Sequence, residues 1–182
     1  IQKANFEAVK LPGELRRCSS HFFGPLTSKA VFPICTARLS HQIIEFLKTR
    51  APAYHPKSIP SVVYTHPEIA WCGLTEGEAQ EKNITVKTVK FPWAALGRAV
   101  SVNEAEGATK LIVDPQTHKI LGAGIIGVNA GDLIAQCNLA VELGMTARDI
   151  AKSVHPHPTF SESVLEAAAM VLGHCDHYLV KK

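Results

Sequence analysis

The sequence lacks the features that mark membrane-spanning, nucleic-acid-binding and disulfide-stabilised secreted proteins. Its 182 residues contain no run of about 18 apolar positions, so no membrane-spanning helix is predicted. The net charge is only +3 and the basic residues are scattered, which argues against nucleic acid as a partner. The five cysteines are odd in number and form no Cys-x-x-Cys pair, so we expect a reducing compartment.

Two features are also missing at the N-terminus. The chain begins at Ile1 without a methionine, and we therefore expect a fragment or a processed product. The N-terminal stretch has neither a continuous apolar core nor a cleavage pattern, so it does not resemble a targeting signal. Apolar residues make up 46% of the chain and charged residues 19%, which is typical of a soluble globular protein.

The chain divides into two parts. Residues 1–57 form an unassigned, irregular N-terminal segment that is interrupted by five prolines. One helix is predicted within it, because four apolar residues recur at helical spacing: Leu39, Ile43, Ile44 and Leu47. Residues 58–182 show a regular pattern and form the second predicted domain.

Four strands and four helices are predicted in this second domain. The strands lie at residues 61–65, 84–91, 109–114 and 119–127, and the helices begin near residues 75, 132, 146 and 161. Without βαβ alternation, this order indicates the α+β class, with an antiparallel sheet of about four to five strands covered by helices. The apolar phase slips between Val86 and Val89, which predicts a bulge or a strong twist there. Residues 115–118 have the composition of a hairpin turn.

One glycine motif suggests a nucleotide site. Gly122, Gly124 and Gly127 have the spacing of a dinucleotide-binding fingerprint, and a helix follows them. That fingerprint needs its glycines in a turn between strand and helix, whereas the isoleucines around these glycines make the segment itself a strand. We therefore interpret them as strand glycines that allow close packing, and we expect no cofactor-binding residues in this chain.

Histidines are dense near the C-terminus. His155 and His157 flank one proline, and His174 and His177 lie beyond the last predicted helix. This set has no recognised zinc-ligand spacing, so no metal site is expected, and the last two histidines are interpreted as part of a polar terminus.

His157 and Glu162 are the stronger candidates for a functional site. Pro156 and Pro158 hold the backbone extended on both sides of His157, and Thr159 to Glu162 has capping-box spacing. On spacing alone, a loop histidine and a capping glutamate are the favoured interpretation. If the chain turns back at the cap, Glu162 instead accepts from one imidazole nitrogen and leaves the other as a base. A cysteine thiol, with a pKa of about 8.5, is a suitable proton donor to such a base.

Several ordered motifs between residues 54 and 173 resemble one family. They are residues 59–71, the run Phe91-Pro-Trp-Ala-Ala-Leu-Gly-Arg-Ala99, residues 109–127, and His155-Pro-His-Pro-Thr-Phe-Ser-Glu162. Together they resemble the C-terminal dimerisation domain of the dihydrolipoamide dehydrogenases, which are flavin-dependent pyridine nucleotide-disulfide oxidoreductases. Phe160 stands where the family usually has leucine, which is a mild departure.

The resemblance implies an obligate homodimer that works with FAD and NAD in the full enzyme. It maps the catalytic histidine to His157 and its carboxylate partner to Glu162, and the pair would handle the proton of the dithiol in the partner subunit's active site. It also implies partners among the lipoyl-bearing subunits of 2-oxo acid dehydrogenase complexes, and a cytoplasmic or mitochondrial matrix location. No nucleic acid or membrane partner is expected.

The family's redox Cys-x4-Cys motif and its two dinucleotide-binding domains are absent from this sequence. We therefore expect no cofactor to bind this chain alone and expect the chain alone to be inactive. The alternative from a different class is a non-catalytic oligomerisation or binding module derived from that domain, with His157 and Glu162 serving only as loop and cap.

Overall fold

The computed structural model describes residues 56–175, so the helix predicted around Leu39–Leu47 and the terminal His177 lie outside the described residues. The strands are Ser61–Val63 (β1), Ile69–Gly73 (β2), Lys87–Pro92 (β3), Ala108–Val113 (β4) and Ile120–Ile126 (β5). The α-helices are Glu76–Glu81 (α1), Gly97–Ser101 (α2), Ala130–Leu143 (α3), Ala147–Lys152 (α4) and Glu162–Leu172 (α5). A 3-10 helix, Trp93–Ala95, follows β3.

The five strands form one antiparallel sheet in the order β1-β2-β5-β4-β3. The predicted α+β class and antiparallel sheet are therefore confirmed. Along each strand, alternate residues face the two long helices. Four of these residues lie side by side on adjacent strands: Ala70, Ile125, Thr109 and Phe91. These residues are fully buried. Helix α3 packs against β1, β2 and β5, and α5 packs against β3 and β4 on the same face.

Local signals set most of the element ends. Thr75 with Glu78 and Thr146 with Asp149 form complete capping boxes at the starts of α1 and α4. Gly144 and Gly173 take the left-handed conformation that ends α3 and α5. In the hairpin between β4 and β5, the side chain of Asp114 accepts the backbone N–H groups of Gln116 and Thr117. The predicted turn at residues 115–118 is confirmed.

The bulge predicted between Val86 and Val89 is wrong. Val86 lies before β3, and β3 pairs with β4 one to one from Lys87 opposite Val113 to Pro92 opposite Ala108. The register shift lies instead between Ile112 and Val113, where β4 pairs with β5. The alternation of inward and outward side chains is fixed only where a strand pairs with a neighbour. Val86 lies outside β3, so its position in the alternation carries no structural information.

Strand β2 was not predicted from the sequence. All five of its residues are apolar or glycine, so no alternation shows which side faces the core. Its position between β1 and β5 depends on pairing with residues about fifty positions later in the chain. None of the described helices is long and apolar enough to cross a bilayer.

Two thiols lie inside the core. Cys72 on β2 and Cys137 on α3 are both buried. Burial raises the pKa of the Cys72 thiol to about 12. Burial also raises the pKa of Cys137, and the neighbouring Cys72 adds to that effect. Because the thiolate is the reactive species, both side chains behave as small apolar residues rather than as nucleophiles.

Iodoacetamide labelling at pH 8 tests this assignment. In the native chain, Cys72 and Cys137 are expected to react at least about 100-fold more slowly than in the urea-unfolded chain, because they are buried and protonated. Cys175 is only partly buried and serves as the internal control, with a much smaller difference. Peptide mapping by mass spectrometry separates the three sites. Equal protection of all three would contradict the assignment.

Two glycines of β5 provide a matched test of sheet packing. A Cβ added at Gly122 would overlap the backbone of Leu74, whose nitrogen would lie 2.8 Å away, whereas one added at Gly124 would meet only the Ala70 oxygen at 4.0 Å. Gly122→Ala is therefore expected to lower the free energy of unfolding by about 1–3 kcal/mol. Gly124→Ala is expected to change it by less than about 0.5 kcal/mol. Urea denaturation measures both, and equal losses would refute the close approach of β5 to Leu74.

Candidate functional site

The site lies in the loop that joins α4 to α5. Helix α4 ends at Lys152, and the next residue, Ser153, has an extended backbone and donates its hydroxyl to the Asp149 carbonyl at 2.9 Å. The chain then runs through Pro156, His157 and Pro158, with a cis peptide bond between the last two. The prolines on each side of His157 restrict the backbone, so this exposed loop has few alternative conformations.

Glu162 begins α5 and its two carboxylate oxygens have different partners. Oε1 lies 2.9 Å from Nδ1 of His157, and Oε2 accepts the backbone N–H of Thr159 at 2.7 Å. The hydroxyl of Thr159 donates to the Pro156 carbonyl at 2.9 Å instead of capping the helix. The predicted capping box is therefore wrong as a helix cap: α5 begins at Glu162 after Ser161, no side chain caps it, and only the bond from the Thr159 N–H to Glu162 is formed. The other oxygen of Glu162 meets His157, as the alternative interpretation expected.

The carboxylate sets the chemistry of the imidazole. Ionised glutamate only accepts hydrogen bonds, so Nδ1 of His157 carries the proton in this contact. In the neutral ring, Nε2 is then the nitrogen that can accept a proton. The His157 side chain is 73% exposed while that of Glu162 is 14% exposed. The pair therefore presents an open base above a largely covered carboxylate.

A buried group beneath the loop was not identified from the sequence. The indole of Trp93 lies with its ring centroid 5.1 Å from that of Phe160, at an interplanar angle of 35°. Its Nε1–H donates to the Thr109 hydroxyl at 3.0 Å, and that hydroxyl donates to Ser163 at 2.8 Å. Trp93 belongs to the Phe-Pro-Trp run noted in the sequence, but only the folded chain brings it beneath residues 160–163.

The glycine motif is part of the sheet. Gly122 and Gly124 lie within β5, and Gly127 directly follows that strand. Gly122 packs its Cα face against the backbone of Leu74, which leaves no room for a phosphate between them. The interpretation as a strand glycine that allows close packing is confirmed for Gly122; Gly124 lies in the strand without a close neighbour, and Gly127 lies just beyond it against the Trp93 ring. This arrangement does not fit a dinucleotide.

The remaining histidines lie apart from this pair's hydrogen bonds. Nδ1 of His155 is 2.9 Å from the Ser153 carbonyl oxygen, and His174 is exposed beyond the end of α5. Among residues 56–175, no group of three or more His, Cys, Asp or Glu side chains is arranged to hold a metal ion.

Comparison with known proteins identifies the family of the domain. The family model for the pyridine nucleotide-disulphide oxidoreductase dimerisation domain matches residues 59–168. A dihydrolipoyl dehydrogenase of Vibrio cholerae is 38% identical over 167 residues, which cover 91% of this chain and 35% of that protein. The mitochondrial dihydrolipoyl dehydrogenase of Caenorhabditis elegans is 49% identical over 109 residues, covering 60% of this chain and 22% of that protein. The chain spans about a third or less of the length of these curated relatives.

Solved structures agree with the sequence matches. The HOCl-induced flavoprotein disulfide reductase RclA of Escherichia coli has a TM-score of 0.66 and 26% identity, covering 72% of this chain and 31% of that chain. LpdA of Mycobacterium tuberculosis shares the fold with a TM-score of 0.68 at 22% identity, covering 74% and 30%.

The resemblance drawn from four sequence motifs is thereby confirmed. The match over residues 59–168 and the relatives at 38% and 49% identity show that this chain belongs to the pyridine nucleotide-disulphide oxidoreductase family and carries its dimerisation domain.

Proposed function

We propose that this chain serves in a dihydrolipoyl dehydrogenase and contributes His157 and Glu162 as its acid–base pair. The single observation that carries the proposal is the 2.9 Å contact between His157 Nδ1 and Glu162 Oε1 on an exposed loop. The curated relatives named dihydrolipoyl dehydrogenase support the reaction class. The substrate is then a dithiol of the dihydrolipoyl type.

The proposed chemistry is transfer of one proton. Nε2 of His157 takes the proton of a thiol, and the thiolate that forms is the species able to attack a disulfide. The resulting imidazolium is stabilised by Glu162, which also fixes the ring orientation through Nδ1. When a thiolate leaves, His157 returns the proton. The electrons of the dithiol pass to a disulfide that this sequence does not supply.

The glycine motif of the described residues does not suit FAD or NAD. The glycine motif that resembles a nucleotide fingerprint lies in and directly after a sheet strand, and its first glycine is closed off by Leu74. We therefore assign both cofactors to regions of the full enzyme other than residues 56–175. In that enzyme, FAD and NAD would accept the electrons that leave the dithiol.

The proposed assembly is a homodimer. The family match is to a dimerisation domain, and His157 is exposed on its loop. The pair then acts on the active site of the partner subunit. Proposed partners beyond the dimer are lipoyl-bearing subunits of 2-oxo acid dehydrogenase complexes, in the cytoplasm or the mitochondrial matrix.

Substitution of the histidine tests the role directly. In the full-length enzyme, His157→Gln is expected to lower turnover of dihydrolipoamide by about 100- to 10,000-fold, because the base is lost. Sedimentation should still show a dimer. His155→Gln, two residues away and bonded only to its own loop in the described contacts, is the matched control and should keep normal turnover. Normal turnover in His157→Gln would reject the catalytic role and favour a non-catalytic oligomerisation module.

A second substitution separates the two tasks of Glu162. Glu162→Gln keeps one acceptor oxygen for the Thr159 N–H, so its amide group can meet Nδ1 of His157 only as a donor. That contact favours the opposite imidazole tautomer, and the neutral amide no longer neutralises an imidazolium. Turnover of the full-length enzyme is expected to fall by at least about tenfold. Glu78→Gln is the control for loss of a carboxylate that accepts a backbone N–H: Glu78 accepts that of Thr75 before α1, as Glu162 accepts that of Thr159 before α5, although Glu78 is the third helical residue and Glu162 the first. Equal effects of the two variants on turnover would indicate that capping alone is involved.

A further inference from the structure

Trp93 occupies a fixed position in the core. It is completely buried at the start of the 3-10 helix that follows β3. The backbones of Gly107 and Gly127 border the indole so closely that a Cβ at either position would overlap its ring carbons. The backbone N–H of Trp93 also donates to the Gly107 carbonyl at 2.9 Å. The ring therefore has little freedom to reorient.

Two separate contacts lead from this ring to the start of α5. The first is the ring contact with Phe160, two residues before Glu162. The second is the buried hydrogen-bond chain from Nε1 through Thr109 to Ser163, one residue after Glu162. One side chain thus holds the backbone on both sides of the carboxylate that binds His157.

The exposed loop needs such a support. The His157 side chain is 73% exposed, so its own packing contributes little to its orientation. Its position depends on Glu162, whose position depends in turn on where α5 begins. Buried, fully satisfied polar networks hold their members in one arrangement, because an unpaired group in the core is costly.

We propose that Trp93 is a positioning residue for the His157–Glu162 pair, acting through Phe160 and through the Thr109–Ser163 hydrogen bonds. The inference rests on the proposed function for its effect on turnover, but its geometric part stands without it. Phe160 replaces the leucine usual in the family, so in this chain an aromatic pair makes the first contact.

The test follows the His157 ring by NMR in the full chain. Long-range ¹⁵N–¹H correlations report which imidazole nitrogen carries the proton. In the unmodified chain the neutral ring should carry it on Nδ1, facing Glu162. Trp93→Leu removes both contacts and should abolish this preference. Trp71→Leu is the matched control, because the second tryptophan of the chain lies on β2 with its side chain on the opposite face of the sheet.

Two further comparisons keep the test decisive if Trp93→Leu fails to fold. Thr109→Val breaks the hydrogen-bond chain with little change in shape, and Thr109→Ser keeps the hydroxyl; the preference for Nδ1 should weaken in the first and persist in the second. Ile134→Val removes a buried methyl group from α3 and should lower stability without altering the ring. An unchanged His157 ring in both Trp93→Leu and Thr109→Val overturns the proposal, as does an equal change in Ile134→Val.

Turnover separates this proposal from the proposed function. In the full-length enzyme, Thr109→Val is expected to lower kcat by about 10- to 100-fold with little change in KM, because misplacement by a fraction of an ångström weakens proton transfer. Thr109→Ser should restore kcat. If His157→Gln keeps normal turnover, the catalytic role fails while the NMR result still decides whether Trp93 orients the pair. Normal kcat in Thr109→Val with an active His157 would refute positioning.

Discussion

The indole of Trp93 lies between the backbones of Gly107 and Gly127, and its N–H donates to Thr109 inside the core. This contact joins the end of β3 to β4, and the Thr109 hydroxyl extends the connection to Ser163 on α5. The sheet and the last helix are thus held in one register by hydrogen bonds that water cannot replace. Under the proposed positioning role, the contact between Glu162 and His157 depends on that register, because Glu162 is the residue directly before Ser163.

The central strand imposes a second constraint. Strand β5 pairs with β4 along most of its length and with β2 over residues 122–126, so these residues must approach a neighbour on each side. Glycine at 122 permits the chain to pass against Leu74. The same glycine spacing that resembles a nucleotide fingerprint therefore has a packing cause. Sequence spacing alone does not distinguish the two, but the strand character of the surrounding residues does.

The carboxylate of Glu162 has two roles, because each of its oxygens binds a different partner. Oε2 of Glu162 caps the turn at Thr159, which orders the start of α5, and Oε1 binds His157. The backbone N–H of Thr159 already holds this carboxylate at the start of α5, so using its second oxygen to orient a histidine needs no additional element. Under the proposed function, this explains how an exposed histidine keeps a defined tautomer without being buried.

Much of the fold and part of the site could be predicted from the sequence, because many of its determinants are local. The capping boxes of α1 and α4, the glycine ends of α3 and α5, and the turn at residues 115–118 each depend on residues within about one helical turn. Four family motifs also identified the domain. The placement of β2, the true position of the register shift and the support from Trp93 were decided only by the tertiary structure. The placement of β2 and the support from Trp93 depend on contacts between residues far apart in the chain, such as Thr109 with Ser163, which no local pattern records. The register shift lies in the β4–β5 hairpin, but only the backbone pairing shows where it falls. For Glu162, the spacing correctly predicted the bond with Thr159, and only the fold of the loop determined that its other oxygen would meet His157.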